Sequence, residues 1–141
     1  MKNVLIDTDV ILDFFFDREP FSSDAAKIFA LCESKEIRGF ITQVAYSNVY
    51  YLLRKASRHD KVIDKLKLLF TITDVLMMDE DVVVQALNSG FADFEDALQY
   101  SAAANNGTID AILTRNVKDY RKSKIGVLTP ETFFKSRVER Y

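Results

Sequence analysis

The start of the chain places three polar residues directly after a short apolar run, and this pattern limits how the chain can fold. Residues 4–6 are Val, Leu and Ile, which suit a strand buried on both faces of a sheet. Asp7, Thr8 and Asp9 follow at once. Capping the next helix requires only one polar residue, either Thr8 or Asp9. The other polar side chains therefore indicate a site for a cation or a phosphate.

Short apolar runs alternate with helical patterns along the rest of the chain. Further strands are predicted at residues 39–41, 72–77, 111–113 and 125–128, and helices at residues 8 to about 18, 22–34, 42–57, 62–70, 79–89 and 93–105, and from residue 129 onward. No two strands are joined by a tight hairpin turn, so a parallel sheet covered by helices on both faces is expected. We predict an α/β fold, a three-layer α/β/α sandwich around a parallel sheet of four to five strands, with residues 1–141 forming a single domain.

Composition narrows the class of protein. With 48% hydrophobic and 28% charged residues, the chain matches a globular protein that is soluble. Cys32 is the only cysteine, so no internal disulfide can form, and a reducing compartment is expected. No apolar run is long enough for a signal-peptide core or a membrane span. We therefore expect a cytoplasmic protein with no membrane partner.

Charge is unevenly distributed along the chain. Residues 114–141 contain eight Lys or Arg against three Asp or Glu, whereas the first 113 residues are net acidic. Basic residues beside an acidic pocket would suit a polyanion that docks next to a metal site. The alternative interpretation is a solvated basic face near the C-terminus.

The predicted topology brings distant acids to one edge of the sheet. Asp7 follows the first strand, and Asn116 and Asp119 follow the fourth, so all three lie at the carboxyl ends of strands, where ligands bind in such sheets. Asp93 and Asp96 begin the helix that precedes the fourth strand and reach the same edge. Without a cation between them these carboxylates would repel one another. Ligation by oxygen alone favours Mg²⁺ or Mn²⁺, although a plain helix cap also explains Asp93.

Three sequence motifs resemble those of the PIN-domain ribonucleases, a family that includes the toxins of VapBC toxin–antitoxin pairs. The motifs are residues 4–13, 94–99 and 112–120, and they occur in the family's order across essentially the whole chain. The resemblance implies that Asp7 and Asp96 are metal ligands. It also places Asn116 and Asp119 at the polar positions of the last motif.

The resemblance implies a metal-dependent ribonuclease that hydrolyses RNA phosphodiester bonds. Asp7, Asp96 and Asp119 would hold Mg²⁺ or Mn²⁺. The other expected site residues are Asn116 and Thr8 in catalysis, Asp9, Asn48, Asp93 and Thr114 in support, and Arg115, Lys118 and Arg121 on the RNA phosphates. The implied partners are an RNA substrate, an antitoxin protein and a second copy of the chain in a homodimer.

One position departs from the family's pattern. The family usually carries a glutamate on the helix after the second strand, and here the equivalent residue is Asn48. An amide brings no charge, so Asp7, Asp96 and Asp119 support one divalent ion better than two. The alternative function is therefore a catalytically degenerate module that binds RNA or protein. A haloacid-dehalogenase-like phosphatase, with Asp7 as nucleophile and Asp9 as general acid, is a weaker alternative because its downstream acidic pair is missing.

Overall fold

The structure, a computed structural model, describes residues 2–138, so Met1 and residues 139–141 of the predicted domain lie outside the described part. The strands are β1 (Lys2–Ile6), β2 (Ile37–Thr42), β3 (Asp74–Leu76), β4 (Ala111–Leu113) and β5 (Gly126–Leu128). The helices are α1 (Thr8–Phe15), α2 (Ser22–Glu33), α3 (Gln43–Arg54), α4 (His59–Ile72), α5 (Glu80–Leu87), α6 (Phe94–Asn106) and α7 (Pro130–Val138), with a 3-10 helix at Val117–Tyr120.

The five strands form one parallel sheet in the order β3-β2-β1-β4-β5. β1 is the central strand, and its Leu5 pairs with Phe40 of β2 on one side and Ile112 of β4 on the other. The predicted α/β fold is confirmed. Because all strands run the same way, their C-terminal ends share one edge of the sheet, which we call the carboxyl edge.

The hydrophobic core lies on both faces of the sheet. Val4 and Ile6 of β1 pack into a cluster with residues of α1 to α4, whereas Leu5 packs into a second cluster with residues of α5 and α6. Successive side chains of a strand point to opposite faces, so a central strand covered on both sides needs an apolar residue at every position. This explains the uninterrupted run at residues 4–6. Within the described residues, no helix is long and apolar enough to cross a membrane.

Helix α1 is shorter than predicted, ending at Phe15 rather than near residue 18. Asp17 adopts a left-handed conformation with φ 51°. The backbone N–H of Arg18 donates to the Asp13 carbonyl at 3.0 Å, and that of Asp17 donates to the Phe14 carbonyl at 3.3 Å. These two bonds form a Schellman-type end, which turns the chain away from the helix axis. The 3-10 helix after β4 was not anticipated from the sequence pattern.

Candidate functional site

Asp7 lies at the centre of the carboxyl edge, immediately after β1, and its side chain is 7% exposed. Its Oδ1 accepts hydrogen bonds from the Thr8 backbone N–H at 2.8 Å and the Gln99 amide at 2.6 Å. Its Oδ2 accepts from the hydroxyls of Thr114 at 2.9 Å and Tyr120 at 3.3 Å. Asp7 itself, rather than Thr8 or Asp9, is the N-cap of α1. Four neutral donors from four parts of the chain therefore hold this one carboxylate in place.

Burial raises the pKa of Asp7, and hydrogen bonds from Thr114, Thr8, Gln99 and Tyr120 offset part of that rise. A buried carboxylate costs stability unless a positive charge pairs with it, and each of these four donors is neutral. A negative charge on Asp7 therefore lowers the stability of the folded protein.

Gln99 connects Asp7 to the third helix. It is completely buried, and its Oε1 accepts a hydrogen bond from the Thr42 hydroxyl at 2.9 Å. The same hydroxyl oxygen accepts from the Ala45 backbone N–H at 3.1 Å, so Thr42 also caps α3. The sequence analysis missed Gln99 and Tyr120. A signal for Gln99 was present, because it follows Asp96 by three residues and so lies on the same face of α6.

Asp9 joins α1 to the loop after β4. Its Oδ2 accepts from the Arg115 backbone N–H at 3.0 Å, the Thr114 hydroxyl at 3.3 Å and the Asn116 amide at 3.4 Å. Its Oδ1 is buried and has no hydrogen-bond partner within the described part of the chain. Burial, and then repulsion from Asp7, raise the pKa of Asp9 to about 6. Asp9 thus ties the start of α1 to the loop after β4.

Asp96, which is in the first turn of α6, lies near Asp7. Burial raises its pKa to about 7, together with repulsion from Asp7, Asp93 and, more weakly, Asp119, while the Tyr120 hydroxyl lowers it. Asp93 is the N-cap of α6 and accepts from the Asp96 backbone N–H at 3.0 Å. The carboxylates of Asp7, which follows β1, and of Asp119, on the 3-10 helix, are thus close enough to Asp96 to contribute to its raised pKa.

Some of these acids line a groove that also carries basic side chains. Asp96 and Asp119 line it together with Lys118 and Arg121, and its volume is about 310 Å³. Lys122 also lines the groove, and its Nζ donates to the Gly90 carbonyl at 2.5 Å. Lys118 and Arg121 are exposed. Two cations that face solvent therefore stand directly beside two of the predicted metal ligands.

Arg115 is placed differently from the other two predicted phosphate-binding residues. Its Nε donates to Asp13 Oδ2 at 2.7 Å and its Nη2 to Asp13 Oδ1 at 3.1 Å. Its guanidinium also stacks over the Phe21 ring, 4.1 Å from the ring centre. Asp13 is 1% exposed, so this two-pronged ion pair ties the loop after β4 to a buried position of α1.

Asn48 of α3 is partly buried and faces a residue that the sequence analysis did not single out, Glu95. Burial raises the pKa of Glu95, and the nearby Asn48 side chain offsets part of that rise. Glu95 precedes Asp96 in the first turn of α6. The helix that lacks the expected glutamate therefore faces a glutamate from another helix.

The donor set suits a hard divalent cation. Asp7, Asp96 and Asp119 offer only oxygen atoms, which Mg²⁺ and Mn²⁺ prefer, and burial, followed by repulsion from Asp7 and Asp93, raises the pKa of Asp96. The unpartnered Asp9 Oδ1 adds a buried acceptor at the same edge. Within residues 2–138, however, no three Asp, Glu, His or Cys side chains are arranged as a closed metal-binding group. The chemistry of the donor set nevertheless fits the ion.

The protein is thus an α/β protein whose parallel sheet gathers acids at its carboxyl edge. A sequence model of the PIN domain matches residues 3–118, and the chain therefore belongs to the PIN domain family. No curated protein sequence matches the chain.

Solved structures share this fold. A toxin–antitoxin complex from Klebsiella pneumoniae is similar with a TM-score of 0.67 and 21% identity, covering 90% of this chain and 97% of that one. VapBC-1 from nontypeable Haemophilus influenzae has a TM-score of 0.70 at 16% identity, with coverages of 92% and 98%. VapC20 from Mycobacterium tuberculosis, a toxin that cleaves the sarcin–ricin loop, has a TM-score of 0.62 at 16% identity, with coverages of 77% and 86%. At these identities the likeness establishes a common fold.

Proposed function

We propose that this chain is a metal-dependent ribonuclease that hydrolyses RNA phosphodiester bonds and acts as the toxin of a toxin–antitoxin pair. The observation that carries the proposal is Asp7, a buried carboxylate held by four neutral donors and repelled by neighbouring acids. Such an arrangement is costly in a metal-free protein and is relieved by a divalent cation. Membership of the PIN domain family and the RNA-cleaving toxin among the structural neighbours support the same assignment.

Asp7, Asp96 and Asp119 would hold Mg²⁺ or Mn²⁺. When bound, the ion would supply charge neutralisation at the scissile phosphate and a more acidic water. Gln99 and Thr114 fix the orientation of the Asp7 carboxylate, so that no reorganisation is needed there when the substrate arrives. Thr114 accepts a hydrogen bond from the Asn116 backbone N–H at 3.1 Å and so positions the polar loop after β4.

We assign RNA binding to the groove beside Asp96 and Asp119. Lys118 and Arg121 are exposed there and would contact backbone phosphates, so that affinity falls as salt rises. We assign Arg115 to the structure instead, because its guanidinium already pairs with Asp13. The groove would take the part of the RNA next to the scissile bond.

The proposed protein partners are an antitoxin and a second copy of this chain. Several structural neighbours are VapBC complexes, some of them bound to DNA. Exposed large apolar side chains, including Tyr51, Leu68 and Phe70, offer surface for such contacts. A toxin that acts on RNA would work in the cytoplasm.

The test is RNA cleavage by wild type, Asp7→Asn and Asp96→Asn in Mn²⁺, with Asp81→Asn as the matched control. Asp81 is an exposed aspartate in the first turn of α5, away from the site. We expect wild type and Asp81→Asn to cleave equally, EDTA to stop both, and the two site variants to lose about 100-fold or more. Equal cleavage by all four proteins would identify a contaminating nuclease or a wrong site.

The competing function is a binding module without catalysis, and the observation that favours it is the neutral Asn48 on α3, at the position where the family usually carries a glutamate. Tight binding of RNA by wild type, with no cleavage in Mg²⁺ or Mn²⁺ over a wide range of concentrations, would establish it.

A further inference from the structure

We propose that Phe91 is a stacking platform for one unpaired base of the RNA, beside the cations that would hold its phosphates. This inference rests on the proposed function, because it names the part of the substrate that enters the groove next to Asp96. The groove would then take a whole nucleotide, with its base on an aromatic ring and its phosphate on Lys118 and Arg121.

The groove contains an aromatic ring as well as charged side chains. Phe91 is partly exposed and lines the groove together with Lys118 and Arg121. The volume of about 310 Å³ is at the low end for pockets that hold a small molecule. A nucleotide combines an anionic phosphate with a flat base, so exposed cations and an aromatic ring in one cavity match both of its parts.

Other aromatic residues hold the Phe91 ring in place. The Tyr100 ring stacks against it, with 5.2 Å between the ring centres and 24° between the ring planes. The Tyr120 ring lies at 74° to it, with 6.2 Å between the centres. The Lys124 backbone N–H donates to the Tyr100 hydroxyl at 3.2 Å and so fixes the supporting ring. A side chain held in this way loses little freedom when a base stacks on it, which lowers the cost of binding.

The loop between α5 and α6, which carries Phe91, is also held in shape. The Ser89 hydroxyl oxygen accepts from the Phe91 backbone N–H at 3.2 Å and donates to the Ala86 carbonyl at 2.9 Å. Gly90 has a φ of 74°, a left-handed conformation that favours glycine, and its carbonyl accepts from the Lys122 Nζ. The loop therefore presents the Phe91 ring in a defined position.

Phe91 is close to the residues that the proposed function places at the scissile bond. The hydroxyl of Tyr120, whose ring packs on Phe91, donates to Asp7 Oδ2 at 3.3 Å. Asp96 lines the same groove as Phe91. A base on Phe91 would therefore belong to a nucleotide next to the bond that is cut. Because a base can stack on a protein ring only when it is free of its helix, the platform selects unpaired RNA and tolerates any base.

The test is a cycle between residue 91 and the bases of the RNA. Affinity is measured by fluorescence anisotropy, with EDTA present to prevent cleavage, for a short single-stranded RNA and for versions that each lack one base. Wild type is compared with Phe91→Leu and with the control Phe134→Leu. Phe134 is also partly exposed and packs beside another aromatic ring, that of Phe133, but it lies against the core cluster on the other face of the sheet.

We expect Phe91→Leu to bind the complete RNA about fivefold or more weakly than wild type, and Phe134→Leu to bind it equally well. In wild type, removal of one particular base should cause a similar loss. In Phe91→Leu that removal should cost little further, because the stacking partner is already gone. A purely structural role of Phe91 would leave the effect of base removal unchanged. The slope of log affinity against log salt should stay at the wild-type value in Phe91→Leu, because no charge is removed.

Thermal unfolding shows whether Phe91→Leu is folded, and a second measurement uses wild type alone. RNA that carries iodouridine at one position at a time is irradiated in the complex, and the cross-linked residue is identified by mass spectrometry. We expect a cross-link to Phe91 from the position whose base removal weakens binding.

Wild-type affinity that depends on no single base, or cross-links that never include Phe91, would overturn the platform. Equal effects of base removal in wild type and folded Phe91→Leu would overturn it as well. In each of these cases, Mn²⁺-dependent RNA cleavage that Asp7→Asn abolishes would leave the proposed function standing. No RNA binding by wild type, either with EDTA or with Mn²⁺, would overturn both.

Discussion

The ion pair with Asp13 indicates that Arg115 stabilises the fold and does not bind RNA. The substitution Arg115→Met tests this assignment. Methionine keeps much of the side-chain length and its packing on Phe21 but removes the charge and both hydrogen bonds. The Asp13 carboxylate would then remain buried with only Arg18 nearby, at 3.7 Å. We expect the folded state to lose stability while the groove that Lys118 and Arg121 line stays intact.

The size of the loss follows from burial. Removing one partner of a fully buried ion pair costs about 3–5 kcal/mol, because the remaining charge is left uncompensated. The Asp13 side chain is 2% exposed but that of Arg115 is 29% exposed, and Arg18 can partly replace it. These two facts lower the expected loss to about 2–3 kcal/mol in the free energy of unfolding.

The assay is urea denaturation at 25 °C of wild type, Arg115→Met, Asp13→Leu and the double variant, with Lys118→Met as control. The double variant removes both charges and should recover most of the loss, giving a coupling energy of about 2 kcal/mol. Lys118 is exposed, so Lys118→Met should stay within about 0.5 kcal/mol of wild type. RNA affinity should fall in Lys118→Met and remain at the wild-type value in folded Arg115→Met.

A loss below about 1 kcal/mol in Arg115→Met, combined with weaker RNA binding, would refute this reasoning. Arg115 would then be a phosphate contact, and its pairing with Asp13 a weak surface interaction.

Three further predictions concern pH, packing and salt. The pKa of Asp96 is about 7 in the folded protein, against 3.8 for a free side chain, so the folded state holds its proton more tightly. The metal-free protein should therefore gain stability as the pH falls from about 7.5 to about 5, and Asp96→Asn should flatten this dependence in thermal unfolding with EDTA. A Cβ at Gly39 would lie 2.7 Å from the Cys32 Sγ, so Gly39→Ala should cost about 1–3 kcal/mol in urea denaturation. Adding Cys32→Ala should restore part of that loss. Lys118→Ala and Arg121→Ala should each lower the slope of log affinity for single-stranded RNA against log salt by about 0.7.

Each of these predictions has a contradicting outcome. Stability that rises with pH over the stated range would mean that Asp96 is not destabilised by its neighbours. A Gly39→Ala protein as stable as wild type would mean that β2 and α2 have room to separate. Unchanged salt slopes in both groove variants would place the RNA elsewhere on the surface.

Much of the fold could be predicted from the sequence, because its cues are local. The apolar run at residues 4–6 and the alternation of strands with helices specify a covered parallel sheet, and such a sheet brings the C-terminal ends of its strands to one edge. The gathering of Asp7, Asp96 and Asp119 at that edge follows from chain topology alone. The capping role of Asp93 could also be predicted, since it depends on the next three residues.

The partners of individual side chains were decided only by the tertiary structure. Arg115 pairs with Asp13 across 102 residues, and Gln99 reaches Asp7 across 92, and no periodicity reports such contacts. Glu95 and Asp96 are consecutive acids in the first turn of α6, and the local sequence pattern does not distinguish them. In the structure Asp96 faces the groove and Glu95 faces Asn48. Which direction each takes depends on how α6 sits against α3 and the sheet. Sequence by itself determined that negative charge would collect at the carboxyl edge. Packing between distant elements determined which atoms hold that charge. The reason is that hydrogen bonds and burial depend on distances of a few ångströms, which only the folded chain defines.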